Sequence, residues 1–374
     1  LRDLTLQDFP FLTSLALSES AGDRRIWLRV ASDHFVAAEP DDPLAVEAFA
    51  EAMASQLDAA DPATGLDIAR KLAPCARTPL RLLVKLEGMH PEVSAFVLEH
   101  AVAYSDQELK QAIARGTREA IAVARRNPLS PVLANLLTFH DDPSVLVALA
   151  HNAFAELEMA AMLRLLRRAR SRAEERGDRR LAEALLQRRP VRADHALLFL
   201  FARPDQRVEI LLAAQRMQLG RPPSSPLPTP STALDELELT AVSRQPARFV
   251  ATLAEALDCD PGLAQRIVED ASGEPLAVAL SALGASNEVL VRVLTSNDLA
   301  AGESYGRIRT LARLNNALDR NAATMIVAAM RDGAVMARRH QRLTDGGAPP
   351  EPSRAVAARG ASGRDDPPQR MRVK

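Results

Sequence analysis

Residues 78–154 read TPLRLLVKLEGMHPEVSAFVLEHAVAYSDQELKQAIARGTREAIAVARRNPLSPVLANLLTFHDDPSVLVALAHNAF. Thr78-Pro79, Ser130-Pro131 and Asp142-Pro143 each set a short polar residue before a proline and an apolar run. Asp42-Pro43, Asp61-Pro62 and Asp260-Pro261 repeat the signal elsewhere. The polar side chain can accept a hydrogen bond from a free amide in the first turn. Proline at the first helical position loses no bond and already has helical φ. Thr78 to Ser130 is a step of 52 residues, and His90 to Asp142 is the same step. Ser105 and Glu108 fit a capping box between them, and Gly116-Thr117 marks a break. Helix starts near 79, 106 and 131 divide the step into two units of 27 and 25 residues. Two short helices cannot bury an apolar face alone, but stacked pairs can. The expected fold is therefore all-α: a HEAT-like solenoid of short helix pairs.

Outward from this stretch the pattern persists. Upstream, Ala45, Phe49, Met53 and Leu57 step by four along one helical stripe. Asp8–Leu17 and Ile26–Ala38 read as short helical runs, and Trp27 as a buried anchor. Downstream, an apolar face through Leu157, Met162, Leu163 and Leu166 opens a helix that turns strongly basic, with Gly177 as its break. Ala193–Phe201 and Val208–Met217 close the first domain, 1–218. RPPSSPLPTPS at 221–231 has five prolines in eleven residues, so 219–231 is read as a stiff linker. Apolar stripes from Leu234 to Met330, such as Phe249, Val250, Leu253 and Leu257, define a smaller helical domain over 232–342. The Gly-, Pro- and Arg-rich remainder, 343–374, lacks the apolar surface to offset ordering and is read as a disordered tail.

Composition excludes some roles. With 47% hydrophobic but only 3% aromatic residues, the core must be built from Leu, Ala and Val. A net charge of −1 gives no global field toward nucleic acid or anionic membranes. No apolar run has the length to span a membrane, so no membrane insertion is expected. Cys75 and Cys259 have no Cys or His neighbours at metal spacing, which suits a reducing cytoplasm. No phosphate-loop or nucleophile motif occurs, and no cofactor is expected.

The most distinctive surface signal is basic. Lys occurs only at 71, 85, 110 and 374, an imbalance that a GC-rich genome explains. Between Arg164 and Arg189 ten arginines face four acids, a local excess of six positive charges. Arg164, Arg167, Arg168 and Arg172 share a helix face, and Arg176, Arg179 and Arg180 extend it. Guanidinium groups pair bidentately with carboxylate or phosphate. This face could dock an acidic protein, bind nucleic acid, or be solvated. It could also be satisfied internally by the acidic segment Glu19–Asp61 folding back on it. The scarcity of aromatics argues against base stacking.

His140-Asp141 is the best enzymatic lead. An adjacent His-Asp pair in a helical protein resembles the metal-binding pair of the HD phosphohydrolases, where the metal activates water. The pair also falls at a repeat boundary, where Asp142 is expected to cap the next helix. His140, His151, Glu156 and Glu158 lie close in sequence but lack the spacing that presents two ligands from one helix.

The stretches HPEVSAFVLEHAVAYSDQELKQAIARGTREAIAVARRNPLS (90–130) and DDPSVLVALAHNAFAELEMAAMLRLLRRAR (141–170) carry a family likeness. In them Val93 to Asp106, Glu119 to Arg126 and Asn127 to Ser130 follow a recurring order of turn and helix. The run Pro79 to about Arg189 thereby resembles an uncharacterised, mainly alphaproteobacterial helical family, domain of unknown function 2336. Phe249–Leu283 fits that family's C-terminal region more loosely. The resemblance implies HEAT-like stacking and no established activity, and it carries over no functional residue. The sequence thus points to a non-catalytic interaction or scaffold protein docking an acidic partner through its arginine helix. Nucleic-acid binding through that helix is the alternative, and a metal-dependent hydrolase at His140 and Asp141 a second one.

Overall fold

The computed structural model describes residues 20–38, 42–219, 231–296 and 304–331. Among them the structure is all-α, without a strand. The run at 8–17, most of the 219–231 linker and the 343–374 tail lie outside the described residues.

The helices up to Gln187 form two rows. The first row holds α2 (Pro43–Leu57), α4 (Leu80–Met89), α6 (Asp106–Arg115), α8 (Pro131–Leu137) and α10 (Met159–Arg176). The second row holds α1 (Ala21–Ala38), α3 (Pro62–Leu72), α5 (Pro91–His100), α7 (Thr117–Ala124), α9 (Pro143–His151) and α11 (Arg180–Gln187). Each second-row helix packs on the next along the whole row, and α4, α6, α8 and α10 each pair with the second-row helix that follows. This is the stacking of helix pairs that the repeat requires. Helices α5, α7 and α9 begin at 91, 117 and 143, a constant step of 26 residues.

Local chemistry sets most helix starts. Asp42, Asp61, Ser130 and Asp142 accept from amides of the first turn, and Ser105 with Glu108 closes the capping box. Thr78 differs from the sequence reading. Its hydroxyl donates to the Leu72 carbonyl at 2.6 Å, so it ties off the end of α3 and α4 starts without a side-chain cap. Trp27 is buried, as its sequence context suggested.

Beyond α11, Ala193–Phe201 forms a 3₁₀ segment rather than an α-helix, and α12 (Pro204–Gln218) follows. The remaining helices are α13 (Ser231–Val242), α14 (Pro246–Leu257), α15 (Pro261–Glu269), α16 (Glu274–Leu283), α17 (Asn287–Ser296) and α18 (Ser304–Ala317), with a last helical stretch α19 at 320–331. Among them α16 packs against α14, α15 and α18, and every residue of it from Pro275 to Leu283 is buried. A helix apolar on all sides can only sit at a centre.

Buried polar bonds join this group to the end of the rows. The Arg207 guanidinium donates to Asp270 at 2.7 and 3.0 Å, to Ser272 at 2.6 Å and to Glu274 at 3.1 Å. Arg170 donates to the Ala329 carbonyl at 2.8 Å and to that of Met330, capping the end of α19. Glu174 accepts from both Arg170 and Arg266.

Candidate functional site

The arginine helix is largely committed inside the molecule. Arg164 donates to Thr138 and Asn135 and lies 3.7 Å from the centre of the Phe139 ring. Arg168 donates to the Thr138 and His140 carbonyls, both at 2.9 Å, and lies 3.6 Å from Asp141. These two close the C-terminal end of α8, where a cation meets both free carbonyls and the negative end of the dipole. Arg172 lies 3.6 Å from Asp178. Arg180 grips Asp178 at 2.9 and 3.0 Å. Hydrogen bonding from Arg180 is the main cause that holds the Asp178 carboxyl down to about 2. Arg179 is exposed, with its guanidinium 5.8 Å from the Phe201 ring centre. Arg167 and Arg176 are exposed and pair with nothing among the described residues.

Among the described residues the internal partner is not the acidic N-terminal segment. Asp33, Glu47, Asp58 and Asp61 pair instead with Lys71, Arg81, Lys85 and Arg25 on neighbouring N-terminal helices. The basic helix is satisfied mainly by backbone carbonyls, to which composition gives no clue.

His140 and Asp141 form a turn. His140 Nδ1 accepts from the Asp142 amide at 3.1 Å, and Asp142 caps α9 through Ser144. Asp141 points into solvent beside Arg168. Among the described residues no group of three or more His, Cys, Asp and Glu side chains is placed to hold a metal ion. No helix among them is long and apolar enough to cross a membrane.

A different site emerges on the second-row face. A cavity of about 530 Å³ is bounded by α5, α7, α9 and α11. Ile121, Val147 and Ala148 supply its apolar lining, and Ser144, Glu99, Arg125, His151 and Arg180 its polar one. Phe154, 68% exposed, stands at its margin.

The repeat builds this groove. Glu99, Arg125 and His151 lie 26 residues apart, each at the C-terminal end of its helix. Ala95, Ile121 and Val147 keep the same step one turn earlier, as do Glu92, Arg118 and Ser144 two turns earlier. Positions i, i+3 and i+7 share one helix face. The groove is thus one face presented by successive repeats, with its charge changed from repeat to repeat.

Residues one position on hold the repeats together and free this face. Arg126 donates to the Leu98 and Ala101 carbonyls at 2.5 and 2.7 Å, closing α5. Asn152 donates to the Ala124 and Arg126 carbonyls at 2.9 and 2.7 Å, closing α7. Arg125 and Glu99 make no side-chain hydrogen bond or ion pair among the described residues, although Glu99 is half-buried. The sequence reading missed these groove residues, since the signal lies in comparing positions 26 apart rather than in a local motif.

Comparison with known proteins gives no parallel: no family model, curated protein or solved structure matches the chain.

Proposed function

We propose that this chain is a non-catalytic interaction module, a HEAT-type solenoid acting in the cytoplasm. It docks an acidic segment of a partner protein in the second-row groove. One observation carries the reading: three successive repeats turn the same helix face into a groove whose Arg125 has no internal partner among the described residues. Arg125, with His151 beside it, meets carboxylates, while Arg180 at the rim is held by Asp178. Ile121, Val147 and Ala148 receive apolar side chains. The docking surface therefore moves from the arginine helix to the neighbouring groove, and only Arg180 is shared between them. Nucleic-acid binding required a row of free arginines. Arg164, Arg168, Arg172 and Arg180 are engaged internally, which weakens that alternative and leaves it Arg167, Arg176 and Arg179 as exposed arginines without an ion pair among the described residues.

The test is a photo-crosslinking amino acid at Ser144, inside the groove, in the native cell. A discrete adduct is expected, lost on adding Arg125→Glu. A crosslinker at exposed Ala160 on α10 serves as the control. No adduct from Ser144, or an equal one from Ala160, refutes the reading.

A further inference from the structure

The register of the groove defines the chemistry of its occupant. Glu99, Arg125 and His151 stand at one position of three stacked, parallel helices. Packed helices lie about 8–10 Å apart. An extended or polyproline-type strand advances about 3.1–3.4 Å per residue, so three residues span one helix spacing. A helix advances only 1.5 Å per residue and would need its charges about seven positions apart to keep step with the row, so a three-residue spacing marks an extended strand.

Resting on the docking reading above, we infer that the groove binds an extended peptide crossing α5, α7 and α9, with a basic and an acidic residue three positions apart. The basic residue meets Glu99 and the acidic one meets Arg125. A hydrogen-bond acceptor three positions further meets His151. Side chains between them rest on Ile121, Val147 and Ala148.

Charge complementarity commits the occupant. Among the described residues Glu99 is half-buried yet unpaired, and Arg125 on the next helix is unpaired as well. The two line one cavity but form no ion pair with each other. A one-helix offset puts them too far apart to neutralise one another and suitably apart to clamp a strand. The acidic segment of the docking reading therefore carries one basic residue opposite Glu99, which would otherwise face like charge. A peptide of alternating sign satisfies both groups, and the residue order it needs fixes the direction in which it lies.

The experiment selects from a phage-displayed library of random 12-residue peptides on the immobilised full-length chain. It is repeated on Glu99→Arg, Arg125→Glu, the double exchange, and two occluded variants, Ala148→Trp and Ser144→Trp. Far-UV circular dichroism checks that each variant is folded. Expected are peptides with a basic and an acidic residue three apart in one order. A synthetic copy should bind at least tenfold more weakly to either single reversal. The double exchange should enrich the opposite order. Peptides lost on both occluded variants but lacking that spacing, or keeping their order on the double exchange, overturn this inference and leave the docking reading standing. An absence of peptides sensitive to occlusion overturns both.

Discussion

Replacing Arg207 with Met tests what holds the two helical groups together. The Arg207 side chain is 5% exposed, and those of Asp270 and Glu274 are each 18% exposed. The substitution keeps the volume but deletes every bond to Asp270, Glu274, Ser272 and the Phe199 carbonyl. Two neighbouring carboxylates then remain largely dry, with no cation. Removing one partner of a buried pair costs about 3–5 kcal/mol. Residual water access and Ser272 place this case near the lower bound, about 3 kcal/mol. Urea unfolding of the full chain at pH 7, followed by far-UV circular dichroism, measures it. Adding Asp270→Asn and Glu274→Gln removes the stranded charges and should restore more than half of the loss. The cost of the single variant should also shrink near pH 4, where the stranded carboxylates take up protons. In the parent chain burial pushes the Asp270 carboxyl up, but bonds from Arg207 and Ser272 outweigh it and hold the group below its usual range. The contribution of Asp270 is therefore present above about pH 4 and lost as pH falls through its lowered folded value. A loss under about 1 kcal/mol, or a triple variant as unstable as the single one, refutes the reasoning.

Reversing Arg164 and Arg168 to Glu should cost about 1.5–3 kcal/mol in thermal or urea unfolding, because bonds to the end of α8 are lost and a like charge meets its dipole. Reversing exposed Arg167 and Arg176 should change stability by no more than about 0.5 kcal/mol. Gly284→Ala should destabilise by about 1–2 kcal/mol, read as a lowered melting temperature. The residue has φ +84°, and a Cβ would meet the Arg320 guanidinium at 2.8 Å, where it bonds the Ala282 and Leu283 carbonyls. Burial pushes the fully buried His195 below its ordinary pKa of 6.5. Above that pH the ring is neutral whether folded or unfolded. As pH falls below it, the unfolded chain takes up a proton that the folded one refuses, so stability drops until the folded value is passed. His195→Leu should flatten urea midpoints measured between pH 7 and 5.

The fold was legible because helix starts are local. Asp61, Ser130 and Asp142 cap their helices through bonds to residues two or three away, which spacing reveals. The all-α class and paired stacking follow from those starts and the apolar stripes. Thr78 misled because its partner, Leu72, precedes it and competes with the cap. Ala193–Phe201 misled because its apolar pattern does not separate an α-helix from the tighter 3₁₀ turn. The site was less legible. Arg125 and Arg126 are adjacent and identical in kind, yet one faces the groove and the other is buried against carbonyls 25 and 28 residues upstream. Only the relative placement of repeats separates them.

That contrast gives the arginine content a physical cause beside genome composition. A helix leaves its last four carbonyls unbonded. In helices of eight to ten residues, such as α5, α7 and α9, this is a large share of the backbone, and the ends lie inside the stack. Each buried carbonyl left without a donor costs about 1–3 kcal/mol. Guanidinium offers five donors in a fixed fork and so serves several carbonyls at once, where an ammonium offers three around a point. Arg188 reaches the carbonyls of Leu149, Ala150, Asn152 and Ala155 from a single side chain. Arg320 does the same for α16, and Arg170 for α19. Short helices packed side by side in rows therefore consume arginines as internal staples. Local positive charge is then a poor guide to a binding face in this fold. The informative guanidinium is one that lines a cavity and bonds no carbonyl among the described residues, as Arg125 does, unlike Arg167 and Arg176 on the open surface.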